Sequence, residues 1–202
     1  MRTVKIQDLQ HILSESRHPD SMDIDMQSTN VILQIINSAD QTVPVAVAQA
    51  LPQISAAVDV IVKQLRLGGR LIYLGAGTSG RLGILDAVEC RPTFSVDDEL
   101  VQGIIAGGEQ ALTHAVEGAE DDINAAAVDL AAISFNAKDV LVGIAASGRT
   151  PYVIGGLNYA TQLGAASISV SCNPNGKINT LAAINICAAV GPEILTGSTR
   201  MK

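Results

Sequence analysis

Two segments of the chain carry groups suited to holding an anion. Thr78-Ser79-Gly80-Arg81 follows the apolar run RLIYL (70–74) and Gly75-Ala76-Gly77, and Ser147-Gly148-Arg149-Thr150 follows VLVGIA (140–145). Each sets hydroxyls and a glycine where a strand gives way to a helix. The first N–H groups of a helix lack intrahelical acceptors and carry partial positive charge, so they favour a negative ligand. Glycine lets the backbone come close to such a ligand, and Ser and Thr hydroxyls add donors. In open α/β sheets ligands bind outside the carboxyl ends of the strands. Two such loops suit one phosphate with an attached polyol. Singly, either loop also reads as an ordinary N-cap with a glycine turn; the matched pair favours the cradle. Arg81 and Arg149, one step past each glycine, either touch the phosphate or point outward. Gly75, Gly77 and Gly80 also fit the spacing of a dinucleotide fingerprint, but no acid stands at a strand end ~20 residues on, where a ribose contact would need one.

Other reactive residue types are less ordered. Glu89, Glu109, Glu117, Glu120, Asp121 and Asp122 are carboxylates near expected helix ends, and local sequence alone reads such groups as solvated. His11, His18 and His114 are scattered, so no metal site is indicated. His114 reads as a surface or core histidine before it reads as a ligand. Cys90, Cys172 and Cys187 are odd in number and form no C-x-x-C pair. Cys90 has no evident His partner and reads as a small buried residue.

The elements that would position these groups follow from periodicity. Residues 1–26 are polar and read as an arm. Val31, Ile32, Ile35 and Ile36 recur at helical spacing, and a second helical run extends from Val45 to Leu67, ended by Gly68-Gly69. Buried strands are expected at 70–74, 100–105, 140–145, 167–172 and 184–190. Helices are expected at 79–90 (stopped by Pro92), through most of 109–131, at 151–163 and briefly near 178–182. Residues 191–202 read as the start of a further helix. Strands alternating with helices predict a three-layer α/β fold, a five-stranded parallel sheet flanked by helices, preceded by a helical arm.

Composition narrows the function. The 202 residues are 48% hydrophobic with only 2% aromatic, so the core rests on Ala, Val, Ile and Leu. A net charge of −7 argues against nucleic acid or an anionic membrane surface as partner, and an anionic ligand must be held by local groups. No stretch reads as ~18 consecutive apolar residues, and the polar N-terminus has no secretory h-region. With the odd cysteines, a reducing cytoplasm is expected.

The serine-rich loops on a five-stranded parallel sheet resemble the sugar isomerase (SIS) domain. More narrowly, GGRLIYLGAGTSGRLGILDAVEC, IIAGGEQA, HAVEGAEDD, DVLVGIAASGRTPYVI, SCNPN and GPEILTGSTRMK resemble the N-acetylmuramic acid 6-phosphate etherase family, over about residues 24–202. The resemblance implies an N-terminal arm and first helix over 1–45 and an SIS sugar-phosphate-binding domain over 46–202. It implies a lyase of cell-wall sugar recycling that releases D-lactate from N-acetylmuramic acid 6-phosphate and leaves N-acetylglucosamine 6-phosphate. No cofactor or metal is required, and the expected partners are a small phosphosugar and a second copy in a homodimer. Motif position makes Glu89 (in DAVEC) resemble the general acid and Glu120 (in EGAED) the base. The cradle is Thr78, Ser79, Gly80, Ser147, Gly148, Arg149 and Thr150. Glu89, at the end of a largely apolar helix, is expected to be desolvated. Glu120, at a helix start, is expected to be ionised. Thr196 and Ser198 could add donors near the sugar. Two departures stand out. Cys90 is followed by Arg91-Pro92 where the family has Pro-Pro, bringing a bulky cation near the expected site. Family members also continue past GSTRMK into a C-terminal helical region, so beside them the chain reads as truncated. A phosphosugar-binding regulator, like glucokinase regulatory protein, and a phosphosugar isomerase remain open as alternatives.

Overall fold

The computed structural model describes residues 13–197. Three short 3-10 turns, Leu13–Glu15, Pro19–Ser21 and Ile24–Met26, form the lead-in. Helices α1 (Thr29–Asp40), α2 (Thr42–Gln49) and α3 (Leu51–Arg66) follow. Periodicity predicts two helices here; the structure has three. Pro44 and Pro52 each lack the N–H that would bond back four residues, so the rod breaks at Gln41 and Ala50. Gly68, at φ +79°, ends α3 as expected, and the Gly69 N–H donates to the Gln64 carbonyl at 3.0 Å.

Strands β1 (Leu71–Gly75), β2 (Val101–Ile105), β3 (Val140–Ile144), β4 (Ala166–Ser171) and β5 (Ile184–Cys187) form one sheet in the order β2-β1-β3-β4-β5, every neighbouring pair parallel. Between them lie α4 (Gly77–Phe94), the single-turn α5 (Gln110–Thr113), α6 (Ala125–Ala132) and α7 (Pro151–Gln162), with 3-10 turns at Ala119–Asp121 and Lys177–Thr180. The five expected strands and their order of alternation with helices are all present.

Alternation along the strands divides the core between two faces. Ile72 and Leu74 point to one, with Leu130 of α6 and Tyr152, Val153 and Leu157 of α7. Leu71, Val101, Val140 and Ile168 point to the other, against Ala57, Ile61 and Leu65 of α3 and Ala87 and Cys90 of α4. Cys90 is therefore a half-buried packing residue, as expected. Burial pushes its thiol up, aided by the charge of Asp86. At the amino end of the sheet Arg70 ties the start of β1 to the start of β3. Its main-chain N–H and Nε donate to Asp139 Oδ1 at 2.9 and 3.1 Å, and Nη2 donates to Oδ2 at 2.8 Å.

Other expectations need correction. Helix α4 does not stop at Pro92 but ends at Phe94, capped by Ser95 in the left-handed region at φ 56°. Proline sits in the last turn, so only one intrahelical bond is forfeited. Residues 109–131 are not mostly helical: Gly118, at φ +75°, and the turns around it separate α5 from α6. Residues 191–197 are irregular, and 198–202, with Ser198, lie outside the described residues. The run Thr29–Gln49 is, by length and composition alone, long and apolar enough to cross a membrane. Asn, Gln, Thr and the single charge of Asp40 interrupt it, so a search for consecutive apolar residues misses it. It lies largely uncovered, with Leu33 at 60% and Val45 at 62% exposure.

Candidate functional site

The order 2-1-3-4-5 reverses direction between β1 and β3, and in such sheets the crevice at that switch point is where ligands bind. Both hydroxyl loops issue from it. Gly75 at the end of β1 lies opposite Ile144 at the end of β3, so the loops begin one strand spacing apart, ~4.8 Å.

The first loop is the opening turn of α4. That helix starts at Gly77, two residues earlier than expected, so Thr78 and Ser79 contribute N–H groups without intrahelical acceptors. Gly77 is exposed at φ +54°, a conformation that suits glycine. Gly80 has a different task. A Cβ there would lie 2.6 Å from Ile105 Cγ1 and 2.8 Å from the Gly75 carbonyl oxygen, so it permits close packing of helix on strand rather than ligand approach. In the second loop Ser147 Oγ accepts the Arg149 N–H at 3.3 Å, Gly148 is at φ +70°, and Thr150 leads into α7. Arg149 itself is exposed.

A cleft of about 200 Å³ opens beside Gly77, lined also by Arg81, His114, Glu117 and Glu120. Gly118 supplies the left-handed turn that brings both glutamates round to it. The helix-start setting expected for Glu120 becomes a 3-10 turn, with the carboxylate exposed to the cleft. Asp122 is removed from the contenders: its Oδ1 accepts the Asn124 and Ala125 N–H groups at 2.8 and 3.3 Å and starts α6. Arg81 keeps its guanidinium on the cleft wall, where Nε donates to the Leu112 carbonyl at 3.1 Å and Nη2 to that of His114 at 3.3 Å. It thereby fastens the segment leading to Glu117 and Glu120 to the second turn of α4. His114 is exposed on the same wall, its Nδ1 2.8 Å from Thr113 Oγ1.

Glu89 is not part of this assembly. It stands twelve residues beyond Gly77 on α4, about 18 Å along the helix. It is exposed, so the expected desolvation is not provided within one chain. The helix runs on past it to Phe94, and its flanking face is open. Arg91 is likewise remote from the cleft and pairs with Asp98. Thr196 lies in a separate hollow with Arg17, Ser21 and Ile194. Among the described residues, no three His, Cys, Asp or Glu side chains gather as a metal site would require.

In the sequence, SCNPN (171–175) stands only as part of the family resemblance, which assigns this turn after β4 no role at the site. Asn173, 2% exposed, donates from Nδ2 to the Ser147 carbonyl at 3.1 Å, joining this turn to the second loop. The run Asn173-Pro174-Asn175-Gly176 signals a turn, but nothing local says what the turn touches.

A family model described as the glucokinase regulatory protein N-terminal SIS domain matches residues 53–161, more than half of the chain. The chain belongs to this SIS-domain family. The general SIS domain model also matches residues 123–201. The chain is 59% identical over 194 residues to N-acetylmuramic acid 6-phosphate etherase 2 of Vibrio cholerae serotype O1, covering 96% of this SIS chain and 63% of that protein. It is 58% identical to N-acetylmuramic acid 6-phosphate etherase of Brucella anthropi, covering 98% and 64%. It thus spans a little under two thirds of the length of these curated relatives. Among solved structures, a phosphoheptose isomerase from Francisella tularensis superposes with a TM-score of 0.59 at 22% identity, covering 77% of this chain and 85% of that one. A putative phosphosugar isomerase from Bacteroides fragilis gives 0.59 at 19% identity, covering 88% and 81%. At such identities these structures establish the SIS fold alone.

Proposed function

We propose that this SIS chain belongs to a carbon–oxygen lyase that cleaves the D-lactyl ether of N-acetylmuramic acid 6-phosphate. The observation that carries the reading is that Glu120 and Gly77, the first residue of α4, line one cleft at the sheet's switch point. The etherase names of relatives at 58–59% identity supply the substrate. The phosphate rests on the N–H and hydroxyl groups of Thr78, Ser79, Ser147 and Thr150 and the N–H of Arg149, with the sugar extending toward Glu117 and Glu120.

With the sugar open as its aldehyde, the C2 proton is acidic. Glu120 takes it, and the C2–H electron pair forms the C2–C3 double bond as the C3–O bond breaks. A carboxylic acid gives its proton to the departing oxygen, since an alkoxide leaves poorly. Water then adds across the double bond, hydroxyl to C3 and proton to C2, giving N-acetylglucosamine 6-phosphate and D-lactate with one water consumed. The steps need only general acid and base groups of the protein.

Glu89 is the acid in this reading, and it must come from a second protomer. Around it on α4, Leu82, Leu85, Val88 and Phe94 are 57–70% exposed. A homodimer covering this face would also take Glu89 out of bulk water. Part of the N-terminal helical region serves as a second dimer surface, because α1 and α2 bury little besides Ala39 whereas α3 already packs on the sheet. The three free thiols support a cytoplasmic setting.

A second reading, a phosphosugar-binding regulator without turnover, is favoured by the matched regulatory-protein model and by the distance of Glu89 from the cleft. Assay of D-lactate from N-acetylmuramic acid 6-phosphate separates the two. Release supports the lyase, and its absence with saturable binding of the phosphosugar supports the regulator.

A further inference from the structure

We infer that the turn Asn173–Gly176 presents the second hydroxyl loop to the ligand, and that Asn173 is a positioning residue for phosphosugar binding. The inference rests on the reading of the two loops as a phosphate cradle. It begins with where the backbone of that loop is anchored. Two consecutive carbonyls, of Ser147 and Gly148, are held by groups in the segment after β4. The first accepts Asn173 Nδ2 at 3.1 Å and the second accepts the Ile178 N–H at 3.0 Å. The two backbones are in direct contact: a Cβ on Gly148 would lie 2.5 Å from Gly176 Cα, and one on Gly176 would lie 2.8 Å from Gly148 Cα.

A trans peptide points its C=O and the following N–H in opposite directions. Fixing the Gly148 carbonyl on Ile178 therefore turns the Arg149 N–H the other way, to the side where Ser147 Oγ lies 3.3 Å distant. The Arg149 N–H and the Ser147 hydroxyl are the donors this loop would offer a phosphate oxygen. The direction of the first is set by the Ile178 N–H, a group after β4, while the Gly148 N–H donates back to the Ala145 carbonyl at 2.8 Å.

The anchor is itself rigid. Asn173 Oδ1 accepts the Asn175 N–H at 3.3 Å, and the Asn173 carbonyl accepts the Gly176 N–H at 3.0 Å and Asn179 Nδ2 at 2.9 Å. Asn179 Oδ1 in turn accepts Ser171 Oγ at 2.8 Å, which ties the turn back to β4. Asn173 is buried and its amide is spent on these backbone groups. It acts by fastening the turn to the Ser147 carbonyl, which keeps the Ile178 N–H on the Gly148 carbonyl and so holds the Arg149 N–H in place.

The test is calorimetric titration of the whole chain with N-acetylglucosamine 6-phosphate. Asn173→Ala removes the amide without adding charge and is expected to weaken binding about tenfold, one hydrogen bond's worth. Arg70→Ala is the control. It breaks the buried pair with Asp139 at the opposite end of the strands, so it lowers the thermal midpoint but leaves affinity unchanged. Wild-type chain that fails to bind overturns the cradle itself. Wild-type binding with Asn173→Ala folded and within about twofold of it overturns the inference alone. Amide hydrogen exchange on the wild type tests the same point without any variant: ligand should slow exchange in both 146–150 and 173–178. Protection confined to the first loop and the cleft wall would refute the proposal.

Discussion

The proposed lyase has Glu89 and Glu120 acting on one substrate from different chains, and that has a quantitative consequence. Glu120 lines the cleft beside Gly77, while Glu89 is about 18 Å further along α4, beyond the reach of any side chain on the same helix. Glu89→Gln and Glu120→Gln are each expected to lower kcat by about 10²–10⁴-fold, the usual worth of a positioned acid or base, with phosphosugar binding retained. The two inactive variants, differently tagged and allowed to exchange subunits at equal concentration, should then regain activity. A heterodimer has one site with both carboxylic groups replaced and one with both intact. Random pairing makes about half of the dimers mixed, with half of their sites whole, so the mixture should approach about a quarter of wild-type turnover. Pairing is verified by pulling both tags through one column, and turnover is read as D-lactate. Mixed dimers that remain as inactive as the parents would refute the two-chain site. Full activity of Glu89→Gln alone would refute the acid assignment itself.

Arg70→Ala should destabilise the fold by about 3 kcal/mol or more, because it strands the Asp139 carboxylate, 1% exposed, without its partner; chemical denaturation measures it. The same carboxylate governs acid sensitivity. Burial pushes it up, but the bonds from Arg70 and the Asn136 N–H outweigh burial and hold it below its ordinary 3.8. The unfolded chain therefore binds the proton first. This contribution is complete above pH 3.8 and is lost as pH falls through the lower folded value, so Arg70→Ala and wild type should converge in stability in strong acid. Tyr152→Phe removes a 2.5 Å bond from a fully buried ring to Asp129 Oδ2. It should cost about 1–2 kcal/mol by thermal denaturation without changing phosphosugar affinity. Gly80→Ala should cost about 1–3 kcal/mol with or without ligand, since its Cβ would press on Ile105 and the Gly75 carbonyl. Equal stability would mean that helix α4 can shift on β2.

What could be read from the sequence divides along a physical line. Strands of a parallel sheet are buried on both faces, so RLIYL and VLVGIA announce themselves as apolar β-branched runs with glycine after them. The alternation of those runs with helices fixes the layers. The N-terminal helices were harder, since apolar recurrence at helical spacing persists across Pro44 and Pro52. Only the missing N–H groups, not the hydropathy, mark the breaks. The stretch 109–131 was misread for the opposite reason. Its alanines favour helix, but Gly118 and the tie from Arg81 to the Leu112 and His114 carbonyls hold a loop there. These are tertiary contacts that no local window contains.

The same division explains why the two hydroxyl loops are legible in the sequence and the setting of the carboxylates is not. A helix start after a strand is a local object, so hydroxyls and glycine at 78–80 and 147–150 could be recognised from spacing alone. Their joint position at β1 and β3 follows once the strand order is known. A carboxylate's role depends on what lies across the cleft, which local order does not encode. Glu117, Glu120 and Asp122 sit within six residues of one another, yet one turn sends two of them to the cleft and makes the third a helix cap. Glu89 shows the limit most sharply. Its helix points one end at the cleft and carries the glutamate away from it, amid leucine, valine and phenylalanine left open to solvent. An exposed acid set in an apolar face is a poor arrangement for a lone chain and a sensible one for a surface that closes on another protomer. The residue that the motif marks and the cleft omits is thus accounted for by a single assumption, a second copy on α4, which the exchange experiment tests directly.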